Sequence, residues 1–224
     1  MGRDNQPKDR QLGRKAHKEA SRASYARILI VTEGSKTEPL YFEDIRATYQ
    51  LHSANVAVQP SLLGTAPIQV VKYARQLFEE GDLRRGIRPR SFDQVCAVFD
   101  RDDHGSYFDA LNLAASLDGK LKNDDKQPLI FNAFASVPSF EFWLLLHFED
   151  IQAPIHRDDV MQRLKAHIPS YEKGSRQIFA STTDGLASAT DRATRLAEKF
   201  TPYQAPEPYT GIFELVKLLT NLRS

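Results

Sequence analysis

Acidic residues follow two apolar runs in the first half of this 224-residue sequence. Glu33 comes after the run Ile28–Val31, in ILIVTEG, and Asp100 and Asp102 follow the run Val95–Phe99, in VCAVFDRDDHG. Carboxylates brought together repel, by about 4 kcal/mol per pair at about 4 Å with an effective dielectric constant of about 20. Such a group shares protons or is neutralised by a divalent cation, and oxygen ligands without thiolates favour Mg²⁺ or Mn²⁺. The pattern predicts a metal site that contains Glu33, Asp100 and Asp102.

Each of these acids also has a purely structural interpretation. Glu33 could accept hydrogen bonds from loop amides, and Asp100 or Asp102 could cap the helix that GSYFDALNLAASL predicts. Capping accounts for one aspartate but poorly for the pair, so we favour metal binding. Two neighbours are further site candidates: Asp103 is a ligand or a solvated side chain, and His104 is a ligand, a proton carrier or a loop residue.

Glu38 is another candidate for the same site. It lies three residues after Ser35 in SKTE, a pattern that is also typical of a capping box at the start of a helix. The sequence leaves both interpretations open.

The segment SVPSFEFWLLLHFED adds one more carboxylate. Pro138 suits a helix start, and Glu141 falls in the first turn, where the helix dipole favours an acid. The helix is apolar nearly all round and should be buried, where an unpaired charge is costly. We therefore predict that Glu141 belongs to the site, with Ser136, Ser139 and His147 as weaker candidates.

Four apolar runs with helical segments between them must position these residues. The predicted strands are Ile28–Val31, Asn55–Val58, Val95–Phe99 and Leu129–Phe134. Alternation of this kind predicts a parallel, doubly wound α/β sheet, whose ligands gather beyond the carboxyl ends of the strands. The acids at the ends of the first and third strands should meet there.

After Glu149 the pattern predicts helices and no further strand. The predicted helices are Val160–Ile168, Leu186–Phe200 and Gly211–Leu222, with the proline-rich connection TPYQAPEPYT before the last.

Composition narrows the class of protein. The formal charge is +1, and no apolar run approaches the roughly 20 residues that span a bilayer, so no membrane association is expected. The single cysteine, Cys96, lies in an apolar run, which fits a reducing cytoplasm and excludes a disulfide framework or a cysteine-based zinc site.

Residues 1–26 are rich in Lys, Arg and Ser and contain few large apolar side chains, with no segment that resembles a secretory signal. Such a segment is expected to be a flexible basic arm. It could contact nucleic-acid phosphates or a partner, or it could be a solubilising tail.

A strand ending in Glu, followed by a strand ending in Asp-x-Asp, resembles the toprim domain. More narrowly, the blocks VTEGSKTEPLYF, AVFDRDDH, SVPSFEFWLLLHF and PYTGIFELVKLL resemble the RloB family, which consists of toprim-like proteins found beside restriction–modification genes. The likeness runs from about Arg27 to the end. Thr32 stands where members often have Cys, a small change that affects no candidate catalytic residue.

The resemblance implies a toprim-like, Rossmann-like α/β domain over 27–150, with a mostly parallel sheet flanked by helices. A helical C-terminal extension over 151–224 would pack on the same domain. It also implies a cytoplasmic, metal-dependent nuclease or nuclease-like effector in anti-phage defence. Mg²⁺ or Mn²⁺ would be the cofactor, and the partners would be nucleic acid and an ABC-type ATPase encoded nearby. A homo-oligomer is compatible with this interpretation.

By position, Glu33 would be a general acid/base or a metal ligand, and Asp100 and Asp102 would be the metal-binding pair. Glu141 would complete the site as a metal ligand and catalytic residue. Lys36 is expected to act on the phosphate at the catalytic site and Arg101 to bind the nucleic-acid backbone. The loop DLRRGIRPR could also bind the backbone or be a solvated connection.

Two other classes of protein compete with a nuclease. One is a non-catalytic toprim-like regulatory or sensor subunit of a defence complex. The other is a haloacid-dehalogenase-like phosphatase, whose nucleophile would be the first aspartate of VFDRDD. That loop usually follows the first strand and usually has Thr or Val at the position of His104, so this class is less favoured. Topoisomerase chemistry is also disfavoured, since the candidate nucleophiles Tyr171, Tyr203 and Tyr209 lie in no recognisable motif.

Overall fold

A five-stranded sheet forms the centre of the protein in the computed structural model, which describes residues 25–101 and 105–223. The strands are β1 (Ile28–Thr32), β2 (Val56–Pro60), β3 (Gln94–Asp100), β4 (Ile130–Val137) and β5 (Tyr209–Thr210). Their order is β2-β1-β3-β4-β5; the first four are parallel, and β5 is antiparallel to β4. The mostly parallel α/β fold predicted from the sequence is confirmed.

Helices connect and flank these strands. The α helices are α1 (Thr37–Thr48), α2 (Pro67–Glu80), α3 (Tyr107–Leu117), α4 (Phe140–Leu145), α5 (Arg157–His167), α6 (Ile178–Thr182), α7 (Leu186–Lys199) and α8 (Ile212–Thr220). Short 3-10 turns occupy Leu83–Arg85, Thr183–Gly185 and Pro202–Gln204.

The sheet separates two hydrophobic cores because successive side chains of a strand point to opposite faces. Leu29 and Val31 pack with α2 and α3 on one face. Ile28 and Ile30 pack with α1, α4 and helices from the C-terminal part of the chain on the other. Each of these four strand side chains is fully buried. The C-terminal helices therefore share a core with the sheet.

Strand register brings the predicted site to one edge of the sheet. Thr32 of β1 pairs with Val98 of β3, and Asp100 pairs with Ser136 of β4. Glu33 follows β1 directly, so the carboxyl ends of β1 and β3 meet on the same side.

The prediction that no strand follows Glu149 is wrong. β5 pairs with the end of β4, with Thr210 opposite Ser136, and the two hydroxyl oxygens are 3.1 Å apart. A two-residue edge strand contains too few residues to show the period-two pattern that identifies strands in a sequence.

Helix α3 buries Tyr107, Ala110 and Leu111, whereas Phe108 is 37% exposed. One predicted helix start differs from the structure. Helix α4 begins at Phe140 rather than at Pro138. The N-cap between them, Ser139, has an extended backbone, so the helix cannot include the proline.

Within residues 25–101 and 105–223, no helix has both the length and the apolar character that crossing a membrane requires.

Candidate active site

Glu33 and Asp100 meet at the carboxyl ends of β1 and β3. The backbone amide of Asp100 donates a hydrogen bond of 3.0 Å to Oε2 of Glu33, and the Glu33 amide donates one of 2.9 Å to the carbonyl of Val98. The Phe140 amide at the start of α4 donates to the Asp100 carboxylate. Backbone groups of β3 and α4 thus fix both acids at the edge of the sheet.

Glu38 lies in the same group of acids, although it belongs to α1. The backbone amides of Gly34 and of Glu38 itself donate to its carboxylate, and the side chain is buried. The capping-box interpretation with Ser35 is wrong. Lys36 is the N-cap, without a side-chain cap bond, and Glu38 is in the second position of the helix.

Gly34 provides the space for Glu38. A Cβ atom at position 34 would lie 2.1 Å from Oε2 of Glu38, far inside van der Waals contact. The glycine in EGSKTE therefore has a steric reason, because any side chain at position 34 would displace the Glu38 carboxylate.

Glu141 lies in the first turn of α4, the position that the sequence predicts, and is buried. Its Oε2 accepts a hydrogen bond of 2.9 Å from Ser139, and its Oε1 accepts one of 3.3 Å from the hydroxyl of Tyr171. The ammonium of Lys173 lies 3.7 Å from the same Oε1. The C-terminal part of the chain thus supplies two polar contacts to this acid.

The proximity of the four acids raises the pKa of two of them, Asp100 and Glu38. Burial raises the pKa of Asp100 well above its usual range, and the charges of Glu38, Glu33 and Glu141 raise it further, in that order. Burial likewise raises the pKa of Glu38; its nearby amides and Lys173 oppose this effect, and Glu141 adds to it. Crowded carboxylates of this kind take up protons or a cation.

Tyr171 and Lys173 are contacts that the sequence did not predict as part of the site. Their loop also touches the start of α1, where the Gly174 amide donates a hydrogen bond of 3.1 Å to the Thr37 hydroxyl. Tyr171 appeared in the sequence as a tyrosine without a motif. The hydroxyl is 30 residues from Glu141 in the chain, and no local spacing connects them. The local sequence, YEKG, indicates only a polar connection between elements.

The predicted basic residues lie on different sides of the site. Lys36 is exposed at the start of α1, beside the loop at Gly174, where a Cβ would lie 3.1 Å from Cβ of Lys36. The guanidinium of Arg101 packs over the rings of Tyr107 and Phe108, at 5.1 and 5.5 Å from their centres. Lys36 thus borders the β1–α1 loop and Arg101 borders α3.

The loop DLRRGIRPR is remote from the acids. The amide of Asp93, just after this loop, donates to the carbonyl of Arg27, which directly precedes β1. The loop therefore lies near the amino ends of the strands, whereas the acids lie at the carboxyl ends. Arg85 within the loop donates to the hydroxyl of Tyr73. The loop therefore lies away from the acidic site, and its binding to the nucleic-acid backbone stays a prediction.

Three predicted residues, Asp102, Asp103 and His104, lie outside the described residues. The weaker candidates have other contacts: Ser136 faces Thr210, and His147 lies 3.0 Å from the Trp143 carbonyl through Nδ1.

The donor chemistry of the described candidate ligands fits the predicted Mg²⁺ or Mn²⁺, since each of them offers carboxylate oxygens. Glu33, Asp100 and Glu141 are the described residues that would hold such an ion. In the described part of the chain, no three His, Cys, Asp or Glu side chains are already arranged closely enough to hold one. An ion held by one or two of these carboxylates would complete its coordination with water, as Mg²⁺ commonly does in proteins.

Comparison with known proteins supports the resemblance seen in the sequence. No curated protein and no solved structure matches the chain. The RloB-like protein family matches residues 28–219, which include every described acid of the site. The chain therefore belongs to the RloB-like protein family.

Proposed function

We propose that this protein is a metal-dependent nuclease of the toprim type, which hydrolyses phosphodiester bonds of nucleic acid in anti-phage defence together with an ABC-type ATPase. The observation that carries the proposal is the meeting of Glu33 and Asp100, with the Asp100 amide 3.0 Å from the Glu33 carboxylate, beside Glu38 and Glu141. A crowded group of acids at the carboxyl ends of parallel strands is where α/β folds place ligand chemistry.

The arrangement suits phosphodiester hydrolysis. A divalent cation bound there would polarise the phosphate and lower the pKa of an attacking water. Glu33 is half-buried at the end of β1 and is placed to take a proton from that water or to ligate the ion. Lys36 and Lys173 are exposed on the same side of the chain's acidic site and would attract the phosphate.

One observation favours a second function. Tyr171 and Lys173 already contact Oε1 of Glu141, one of the proposed ligands. The same contacts would suit a regulatory or sensor subunit. In such a subunit they would keep Glu141 from binding a metal ion, and the partner ATPase would supply the activity.

A cleavage assay separates the two functions. The full-length protein is incubated with labelled single- and double-stranded DNA and RNA, with Mg²⁺ or Mn²⁺, with and without the ATPase encoded nearby. We expect metal-dependent cleavage that falls about a hundredfold or more in Asp100→Asn. The matched control is Asp109→Asn, which removes one exposed acid of α3.

Each outcome decides between the functions. Cleavage by the wild type and by Asp109→Asn, but not by Asp100→Asn, supports the nuclease. Absence of cleavage in every arm, with the ATPase present, supports the regulatory subunit. Equal cleavage by Asp100→Asn would overturn the assignment of the acidic site.

A further inference from the structure

A cleft of about 420 Å³ opens beside the acidic site. Its walls come from the end of β4, the beginning of α5 and the turn that precedes β5. Among the lining residues are Arg101, Pro138, Ile155, His156, Arg157 and Pro206. None of the proposed acidic ligands lines it, so it is separate from the acidic site.

The cleft combines positive charge with flat apolar surfaces. Arg101, His156 and Arg157 are among the residues that line it, and none of the described residues that line it is acidic. Arginine is the side chain best suited to phosphate, since its planar fork can donate two parallel hydrogen bonds. Pro138 and Pro206 offer apolar surface against which a nucleobase or a sugar can pack.

The chain connects this cleft directly to the acids. Arg101 follows Asp100, and its amide donates a hydrogen bond of 2.8 Å to the Ser136 carbonyl of β4. Pro138 lies one residue before Ser139, which donates to Glu141. Two residues of the cleft wall, Arg101 and Pro138, therefore lie next to the acidic site at the carboxyl ends of β3 and β4.

Size points to a single nucleotide unit. Pockets for small molecules usually measure about 300–1,000 Å³, and this cleft lies in the lower part of that range. A double helix cannot enter a pocket of this volume, whereas one unit of a single strand can.

We infer that the cleft is a subsite for the nucleotide next to the scissile phosphate. Arg101 and Arg157 hold its phosphate, and the proline faces hold its base or sugar. The inference rests on the proposed nuclease function and extends it, since it assigns a single-stranded segment as the form of substrate at this position. A free mononucleotide has the same chemistry, and the experiment distinguishes it from a strand.

The test measures binding rather than cleavage. Asp100→Asn is used as the parent, so that the strand stays intact, and the affinity for fluorescein-labelled single-stranded DNA and RNA is measured by anisotropy at several salt concentrations. Adding Arg157→Gln should weaken binding roughly tenfold and lower the salt slope by about one. Lys165→Gln, which removes an exposed charge from the same helix α5 outside the cleft, is the control and should change little.

A second variant guards against a structural role of Arg157. His156 is the N-cap of α5 and accepts from the Asp158 amide. His156→Asp keeps a good N-cap acceptor and adds a negative charge to the cleft, so the helix should survive while strand binding weakens. Circular dichroism checks the fold of both variants.

The possible results separate this inference from the proposed function. Weaker binding in both cleft variants supports the subsite even if the wild type cleaves nothing. Parent-like binding in both, or no binding by the parent, overturns the subsite, and a cleaving wild type would still leave the nuclease in place. Adenosine monophosphate that displaces the strand at equal concentration would show a mononucleotide site and overturn the assignment to the substrate strand.

Discussion

The backbone amide of Asp100 donates a hydrogen bond of 3.0 Å to the side chain of Glu33. This contact joins two neighbouring parallel strands at their carboxyl ends. It agrees both with Glu33 as a residue that accepts loop hydrogen bonds and with Glu33 as a member of the acidic site. The carboxylate accepts an amide, as a loop-stabilising residue would, and it is also close enough to Asp100 to raise the pKa of that acid. Mutations must therefore separate the hydrogen bond from the charge.

Glu33→Gln makes that separation. The amide oxygen of glutamine can still accept from Asp100, so the folded state should be as stable as the wild type or more stable, since repulsion falls. Cleavage should fall by about a hundredfold or more, the loss typical of a general acid–base group. Rates are measured at saturating Mn²⁺ and Mg²⁺, so that weaker metal affinity is not mistaken for lost proton transfer. Full activity with both metals would refute the role of Glu33.

Asp100→Asn tests the metal by a measurement that does not need turnover. Asparagine retains an acceptor for the Phe140 amide and removes a charge that three neighbouring acids oppose. Without metal, the variant should melt at the wild-type temperature or above it, because burial and repulsion both disfavour the charged acid. Added Mg²⁺ should raise the melting temperature of the wild type and of Asp109→Asn but not of Asp100→Asn. Early melting of Asp100→Asn without any metal effect on the wild type would identify a structural aspartate.

Much of this fold could be predicted from short stretches of sequence. Strands such as Ile28–Thr32 and Gln94–Asp100 are buried on both faces, so they appear as continuous apolar runs that need no knowledge of their neighbours. The position of Glu33 and Asp100 followed from the rule that parallel strands end on one edge. Helix α6, with five residues, and β5, with two, are too short to show a period.

The part of the site that the sequence did not predict, the contacts of Tyr171 and Lys173 with Glu141, joins distant parts of the chain. Lys173 reaches Glu141 because the C-terminal helices cover one face of the sheet, and no local pattern encodes that packing. The wrong prediction for Ser35 has a related cause. SKTE fits a capping box, but the Glu38 carboxylate turns instead to the amide of Gly34, which has no side chain to exclude it.

Stability should depend on pH through His147. Burial lowers the pKa of His147 from 6.5 to about 4, and its Nδ1 donates to the Trp143 carbonyl in the neutral ring. The unfolded chain therefore binds a proton between these values while the folded chain does not. Stability from the neutral ring is present above pH 6.5 and is lost as the pH falls toward 4, by up to about 3 kcal/mol.

The comparison with His147→Asn isolates this residue from the carboxylates, which titrate in the same range. Asparagine can donate to the Trp143 carbonyl and carries no titrating group. Chemical denaturation should show the wild type gaining stability relative to the variant as the pH rises from about 4 to 6.5. A stability difference that stays constant over this range would contradict the buried neutral histidine.

Gly34→Ala should impair the site through Glu38 rather than through the fold. The new Cβ would meet Oε2 of Glu38 at 2.1 Å, and the flexible side chain can rotate away, so the melting temperature should change little while cleavage falls. Gly211→Ala is the control, because a Cβ there makes an ordinary contact of 3.5 Å with Phe134. A double-mutant cycle with Glu38→Ala measures the mechanism: once Gly34→Ala has displaced the carboxylate, removing it should cost little more, so the two losses should not add. Additive losses would show that Gly34 acts on the site independently of Glu38.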